Sequence, residues 1–308
     1  VVEDDQVHLV SVCTPNDTHA EIAIAALAAG KHVWCEKPMS TTLADSTAMA
    51  NAAASSAGKT IIGYNYTKNP AVTHARRLID NGVIGRVSGF FCRYDVDNEA
   101  DGNRPWSWRM SRAQSGTGSN GDVLSHVISV AHFLTNSSIS RVVGDYTIVH
   151  KERADSQAAG QTKIVDNDDM VAALIHFENG VKGHIGASRV TWGRKCGLRW
   201  ELHGTEGTIM YDQERLNELK LFTRQDNPAT DGFRTILTGP LHEPYAAFLP
   251  NGGHSLGYMD VKICELHDLL SAIEANSPVW PSFSDGLKIE QVMDAVDRSA
   301  QTNKWVDV

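Results

Sequence analysis

Two short segments of this sequence carry side chains able to move a proton. Cys35-Glu36-Lys37-Pro38 follows a short strand-forming run, His32–Cys35, which puts Glu36 and Lys37 at a strand's carboxyl end, where open α/β sheets collect their ligands. A lysine partly withdrawn from water there is easier to deprotonate, a neighbouring carboxylate or ring can orient it, and Pro38 fixes the backbone just beyond. The same residues also read as a solvated Lys–Glu pair at a turn. Asp122 and His126 stand four apart on a helix expected over 122–134, so their side chains lie one above the other, about 6 Å apart at Cβ. Val123, Leu124, Val127, Val130 and Leu134 flank them and set that edge against the core. An aspartate beside a histidine stabilises the imidazolium, selects the tautomer and leaves one ring nitrogen to accept a hydroxyl proton, the base an alcohol oxidation needs. Two readings compete: Asp122 as a helix cap with His126 a satisfied core histidine, and a metal pair, which lacks an evident third ligand. The loop ahead, Ser115-Gly-Thr-Gly-Ser-Asn-Gly121, lets backbone approach a ligand closely and delivers it to a helix N-terminus.

The elements that must position these groups alternate. Short strand patterns at 7–12, 32–35 and 60–64 are separated by helical patterns over 18–29, capped by Asn16 or Asp17 and ended at Gly30, and over 43–57. A further helix opens at Asn69–Pro70 and runs to about Asn81. That alternation is the signature of a doubly wound parallel sheet, and the three loops at its carboxyl edge begin at Thr14, Glu36 and Asn65. The usual opening strand and glycine-rich turn are not in the sequence, so the first part of a domain is expected to be missing. From Arg86 onward the pattern turns to strands, with Asn179-Gly180 marking one hairpin and His203-Gly-Thr-Glu-Gly207 a second. Val171, Ala173, Ile175 and Phe177 share one face of the first hairpin. Helices over about 255–274 and 285–301 close the chain. The expected fold is therefore α/β: an N-terminally incomplete Rossmann sheet over 1–67, then an α+β domain over 68–308. That second domain holds a large, mainly antiparallel open sheet, helices cover one face, and the last helix packs back on the first domain. The other sheet face is left to pair with a second subunit.

Composition narrows the partners. The 308 residues are 42% hydrophobic, enough for a substantial core, and carry a net charge of −9 with no basic run, which argues against nucleic acid. Five cysteines are odd in number and form no CxxC, so neither a disulfide framework nor a zinc ribbon is expected, and the setting reads as reducing and cytoplasmic. No apolar run approaches the ~20 residues of a membrane span.

Thr14-Pro-Asn-Asp-Thr-His19, Glu36-Lys-Pro38, Tyr64-Asn-Tyr66 and Gly116…Asp122-Val-Leu-Ser-His126, in this order and spacing, resemble the glucose–fructose oxidoreductase, inositol dehydrogenase and rhizopine catabolism (Gfo/Idh/MocA) family. Trp106-Ser-Trp108-Arg109, Gly232-Phe-Arg-Thr-Ile236 and Gly253-His254…Gly257-Tyr258 look most like its branch of levoglucosan and related sugar 3-dehydrogenases. The resemblance implies NAD- or NADP-dependent oxidation of a secondary hydroxyl on a pyranose, anhydrosugar or cyclitol. Lys37, Asp122 and His126 would be catalytic, the His or the Lys–His pair accepting the hydroxyl proton. Thr14, Pro15, Asn16, His19, Glu36 and Lys37 would line the cofactor, joined by Asn65, Trp108 and Arg109. Tyr66, Arg109, His254 and Tyr258, with the catalytic three, would face substrate, and no metal and a homo-oligomer are expected. The sequence lacks the glycine fingerprint and the residue that selects NAD or NADP, so the chain as written is expected to bind cofactor weakly. A dinucleotide- or sugar-sensing regulator on the same fold is the alternative, but it would have no need of the Lys and Asp–His set.

Overall fold

The computed structural model describes residues 1–224 and 228–308. β1 (Leu9–Val12), α1 (His19–Ala28), β2 (His32–Cys35), α2 (Leu43–Ala54) and β3 (Thr60–Ile62) build a three-stranded parallel sheet in the order β1-β2-β3, with Val12 opposite Cys35 and Cys35 opposite Ile62. All three strands therefore end at one edge. Val12, Val33, Cys35 and Ile62 are buried, which is the physical reason for the short apolar runs. One detail departs from expectation: neither Asn16 nor Asp17 caps α1. Asn16–Thr18 is instead a 3₁₀ turn, and the Thr18 hydroxyl donates to the Pro15 carbonyl at 2.8 Å.

The Asn65–Lys68 turn leads into α3 (Pro70–Asp80), whose first turn is capped by the Asn69 side chain accepting from the Ala71 N–H at 2.7 Å. Next come β4 (Val87–Asp95), the short α4 (Arg112–Ser115), α5 (Ser125–Thr135), β5 (Ile139–Thr147) and the small ribbon β6 (Glu152–Ala154) and β7 (Thr162–Ile164). The sheet continues with β8 (Met170–Phe177), β9 (Lys182–Ser188), β10 (Gly197–Gly204), β11 (Gly207–Asp212), β12 (Glu218–Thr223) and β13 (Arg234–Leu237). α6 (Tyr258–Glu274), α7 (Phe283–Thr302) and β14 (Val306–Asp307) end the chain. The large sheet has nine strands in the order β13-β12-β11-β10-β4-β9-β8-β5-β14. It is antiparallel except at its centre, where β4 and β9 run parallel with Gly89 opposite Lys182. Both expected hairpins form, β8–β9 through Gly180 in the left-handed region and β10–β11 at 204–207. Val171, Ala173, Ile175 and Phe177 are buried, alternating with outward Met170 and Leu174.

α5 and α7 pack on one face of this sheet, and α7 also lies against α2 and β3, so it belongs to the cores of both sheets. All five cysteines are free thiols. No helix among the described residues is long and apolar enough to cross a membrane.

Candidate active site

The helix expected from Asp122 is not regular at its start. Asn120–Leu124 is a π-helical turn, and α5 begins only at Ser125. The glycine loop before it is held from below by Asp168, whose buried carboxylate accepts the N–H groups of Gly118 at 2.8 Å and Asn120 at 2.7 Å. Burial pushes the Asp168 carboxyl up, while those donors pull it down. Gly118 has to be glycine: a Cβ there would stand 2.0 Å from the Asp168 carbonyl oxygen. The π turn changes what Asp122 can reach.

Asp122 reaches the lysine. The Lys37 amine donates to Asp122 Oδ1 at 2.6 Å and to the Asp122 carbonyl at 2.9 Å, joining the β2 loop to the π turn across 85 residues of chain. The Lys37 charge holds the Asp122 carboxyl below its ordinary range. The stabilised imidazolium expected for His126 is not what forms. No Asp122–His126 hydrogen bond is made, and the imidazole sits among tyrosine rings: Tyr66 at 4.4 Å between centroids, Tyr64 at 5.6 Å and Tyr94 at 5.8 Å. Its Nδ1 is buried without a partner. Burial first, and then the Lys37 charge, hold its pKa well below the ordinary histidine value, with Asp122 offsetting only part. His126 is a neutral base in an aromatic box.

Around the pair opens a cleft of about 400 Å³ whose walls include Thr14, Pro15, Asn16, His19, Glu36, Lys37, Trp108, Arg109 and Asp122. His19 and Glu36 are tied to neighbouring segments. His19 is fully buried, with Nδ1 3.0 Å from the Pro38 carbonyl and Nε2 2.9 Å from the Thr14 carbonyl, so it ties the β1 and β2 loops together. Glu36 accepts from Lys262 of α6 at 2.6 Å, and Lys262 also donates to the buried Glu265 at 2.9 Å. The Arg109 guanidinium stacks on Trp108 at 4.5 Å and remains exposed. Asn65 and Tyr66 lie in the turn after β3: Asn65 is buried with its amide nitrogen unpaired, and the Tyr66 hydroxyl is spent on Tyr94 at 2.9 Å. Tyr258 starts α6 with its ring 6.3 Å from Tyr66, half-exposed. His254 is not drawn in, since its side chain is exposed and its carbonyl takes the Tyr245 hydroxyl. A larger groove, about 680 Å³, lies on the open face of the nine-stranded sheet and holds none of these residues.

Comparison with known proteins bears on what this cleft belongs to. Residues 1–64 match the oxidoreductase family with an NAD-binding Rossmann fold, and residues 72–210 match the GFO/IDH/MocA C-terminal domain. Levoglucosan dehydrogenase of Pseudarthrobacter phenanthrenivorans is 38% identical over 319 residues, covering 100% of this chain and 82% of that protein. The chain belongs to the Gfo/Idh/MocA family. A solved structure titled levoglucosan dehydrogenase in complex with NADH and levoglucosan superposes with a TM-score of 0.96 at 39% identity, over 100% of this chain and 82% of that one. Inositol 2-dehydrogenase of Rhizobium meliloti is a more distant relative, 24% identical over 301 residues, with 97% of this chain and 80% of that protein covered.

Sequence reasoning missed several residues that shape this Gfo/Idh/MocA cleft. Arg189 lines it, buried and paired to Asp169 at 2.9 Å and to Asn167 at 2.8 Å. Asp168 carries the glycine loop, and Tyr64 and Tyr94 box the histidine. The available signal was the run Asp166-Asn-Asp-Asp169 immediately before a strand, more acid than a turn needs. Nothing local to Tyr94 marks it, because its role follows from β4 lying beneath α5.

Proposed function

We propose that this chain oxidises a secondary hydroxyl of a pyranose, anhydrosugar or cyclitol, with His126 accepting the hydroxyl proton, Lys37 polarising the hydroxyl oxygen and Asp122 orienting Lys37. One observation carries the reading. A lysine amine held at 2.6 Å by a carboxylate stands at the carboxyl edge of a parallel sheet and lines a cleft, and its charge acts on a neutral, boxed imidazole. Two of the amine's three donors are spent on Asp122, which leaves one for a substrate oxygen. That donor stabilises negative charge as it develops on the oxygen, and His126, kept neutral by burial, is free to take the proton.

A nicotinamide dinucleotide, NAD by analogy with the NADH complexes of the levoglucosan dehydrogenase relative, supplies the hydride acceptor. The residues fit its nicotinamide end: Thr14, Pro15 and Asn16 at the end of β1 and Glu36 at the end of β2 wall the cleft, and the buried Asn65 amide has donors to spare. His19 and Lys262 would act behind them by fixing the β1 and β2 loops and the Glu36 carboxylate. The half-buried Trp108 under the exposed Arg109 offers an aromatic face and a fork of donors, suited to a ring bearing hydroxyls. The uncovered face of the nine-stranded sheet suits pairing with a second copy, and the reducing setting read from the cysteines suits a cytoplasmic enzyme.

The test is turnover. In the full-length protein, screened for NAD reduction against levoglucosan, glucosides and inositols, Lys37→Ala and His126→Ala should each lower kcat by about 10²–10⁴-fold with folding intact. Undiminished rates in either variant would remove that residue from the mechanism.

A further inference from the structure

Where the Lys37 amine points depends on where its backbone is held, and the peptide unit just after Pro38 is gripped from both sides. Its carbonyl, that of Pro38, is 3.0 Å from His19 Nδ1, while its N–H, that of Met39, donates to Glu290 Oε1 at 2.8 Å. Glu290 is buried and belongs to α7. Three residues further along the same helix, the Met293 carbonyl accepts from Asn120 Nδ2 at 3.0 Å. Met39 is two residues beyond Lys37, and Asn120 two residues ahead of Asp122. Positions 290 and 293 are one turn apart on one helix face, so α7 holds both chain segments that supply the Lys37–Asp122 pair.

We propose that Glu290 is a positioning residue which, with the Met293 carbonyl, makes α7 a strut fixing the separation of Lys37 from Asp122. It acts on turnover through Lys37, and in that respect it rests on the reaction proposed above. The π turn and the β2 loop lie in different parts of the chain, and a rigid helix bonded to each removes the freedom with which they would otherwise drift. Burial pushes the Glu290 carboxyl up to about 8, so near neutral pH the acceptor for Met39 is the oxygen of an uncharged acid. A glutamine amide oxygen can take that place; a leucine cannot.

Two readouts test the strut, and the first needs neither cofactor nor substrate. Reductive methylation of the folded protein with formaldehyde and cyanoborohydride, followed by peptide mass spectrometry, gives the labelling rate of Lys37 against the exposed Lys151. Glu290→Leu should raise the Lys37 rate several-fold with Lys151 unchanged, and Glu290→Gln should restore it. The second readout is kcat with NAD and levoglucosan as the probe pair. Glu290→Leu should lose about 10- to 100-fold, as small misplacements of a reacting group do, with KM for levoglucosan little changed. Glu290→Gln should recover most of that loss, and Glu290→Leu combined with Lys37→Ala should be no slower than Lys37→Ala alone. A folded Glu290→Leu protein with wild-type labelling and wild-type kcat overturns the proposal, as does a Glu290→Gln variant no better than Glu290→Leu. Should Glu290→Leu not fold, Asn120→Ala cuts the other end of the strut and must show the same faster labelling; an unchanged rate there overturns the proposal equally. Full turnover in Lys37→Ala would sink the reaction, while the labelling rates would still decide the strut.

Discussion

His126 is buried against tyrosine rings, and the pH response expected of it follows from that burial. His126 is kept neutral by burial and by the lysine's charge, so its titration lies well below the ordinary value of about 6.5. A rise in oxidation rate between pH 6 and 9, such as an ordinary histidine base would give, therefore cannot come from this one. We expect His126→Ala to lower kcat by a similar factor at every pH between 6 and 9, without moving the midpoint of the profile. A midpoint near pH 7 that disappears with His126 would contradict the burial argument.

Two other buried groups write themselves into stability. His132 is pushed down to about 3, chiefly by burial, and its Nε2 accepts the Ile139 N–H at 3.0 Å, so the fold needs it unprotonated. Glu290 is raised to about 8 by burial. The raised acid binds its proton more tightly folded than unfolded, so its contribution is full below the unfolded pKa of about 4.3 and is lost as pH rises toward 8. The depressed histidine acts the other way, favouring unfolding as pH falls from about 6.5 toward 3. Between about 4.3 and 6.5 the two slopes oppose each other; above 6.5 only the glutamate's remains. Urea unfolding should then show wild-type stability falling by about 2 kcal/mol from pH 6.5 to 8, at ~1.4 kcal/mol per unit for one proton, and Glu290→Gln should flatten that fall. An equal fall in the variant would assign the slope elsewhere.

At the scale of elements, the site depends on an irregularity. The π turn at Asn120–Leu124 directs Asp122 at the lysine, and Asp168 anchors the loop before it through the Gly118 and Asn120 N–H groups. Because a Cβ at 118 would meet backbone, relief requires moving the glycine loop or the segment that carries Asp168. Gly118→Ala should cost about 1–3 kcal/mol in thermal or urea unfolding, as overpacking does, and lower kcat along with stability. Wild-type values for both would mean that the loop shifts without consequence for Asp122.

At the scale of the whole molecule, α7 joins the three-stranded and nine-stranded sheets, the cleft lies where their edges meet, and one broad face of the larger sheet is uncovered. Phe91, His184 and His203 cluster on that face, with ring centroids 4.8 and 4.7 Å from Phe91, and Leu174 stands 54% exposed on β8. A groove of about 680 Å³ runs beside the first three. We expect gel filtration to give a homo-oligomer, and Phe91→Asp to shift it toward monomer by burying an unpaired charge in the interface. A monomeric wild type at micromolar concentration would reject the arrangement.

The sequence by itself determined the alternation of short strands with helices, because each strand must bury at least one apolar face, and it determined both hairpins, because Asn179-Gly180 supplies the backbone a tight turn needs in the first and Gly204 and Gly207 bracket the second. It also brought forward Lys37, Asp122 and His126, since proton-moving residue types stood beside glycine-rich and strand-end patterns. What it could not contain was their pairing. Helical periodicity sets Asp122 over His126, and only the π turn, held by an aspartate some 50 residues downstream, gives it to Lys37 instead. The tyrosine box, the Glu36–Lys262 bond and the grip of Glu290 on Met39 are likewise decided by tertiary structure. They join residues tens to hundreds of positions apart, and local propensity carries no record of which distant side chain will fill a buried acceptor.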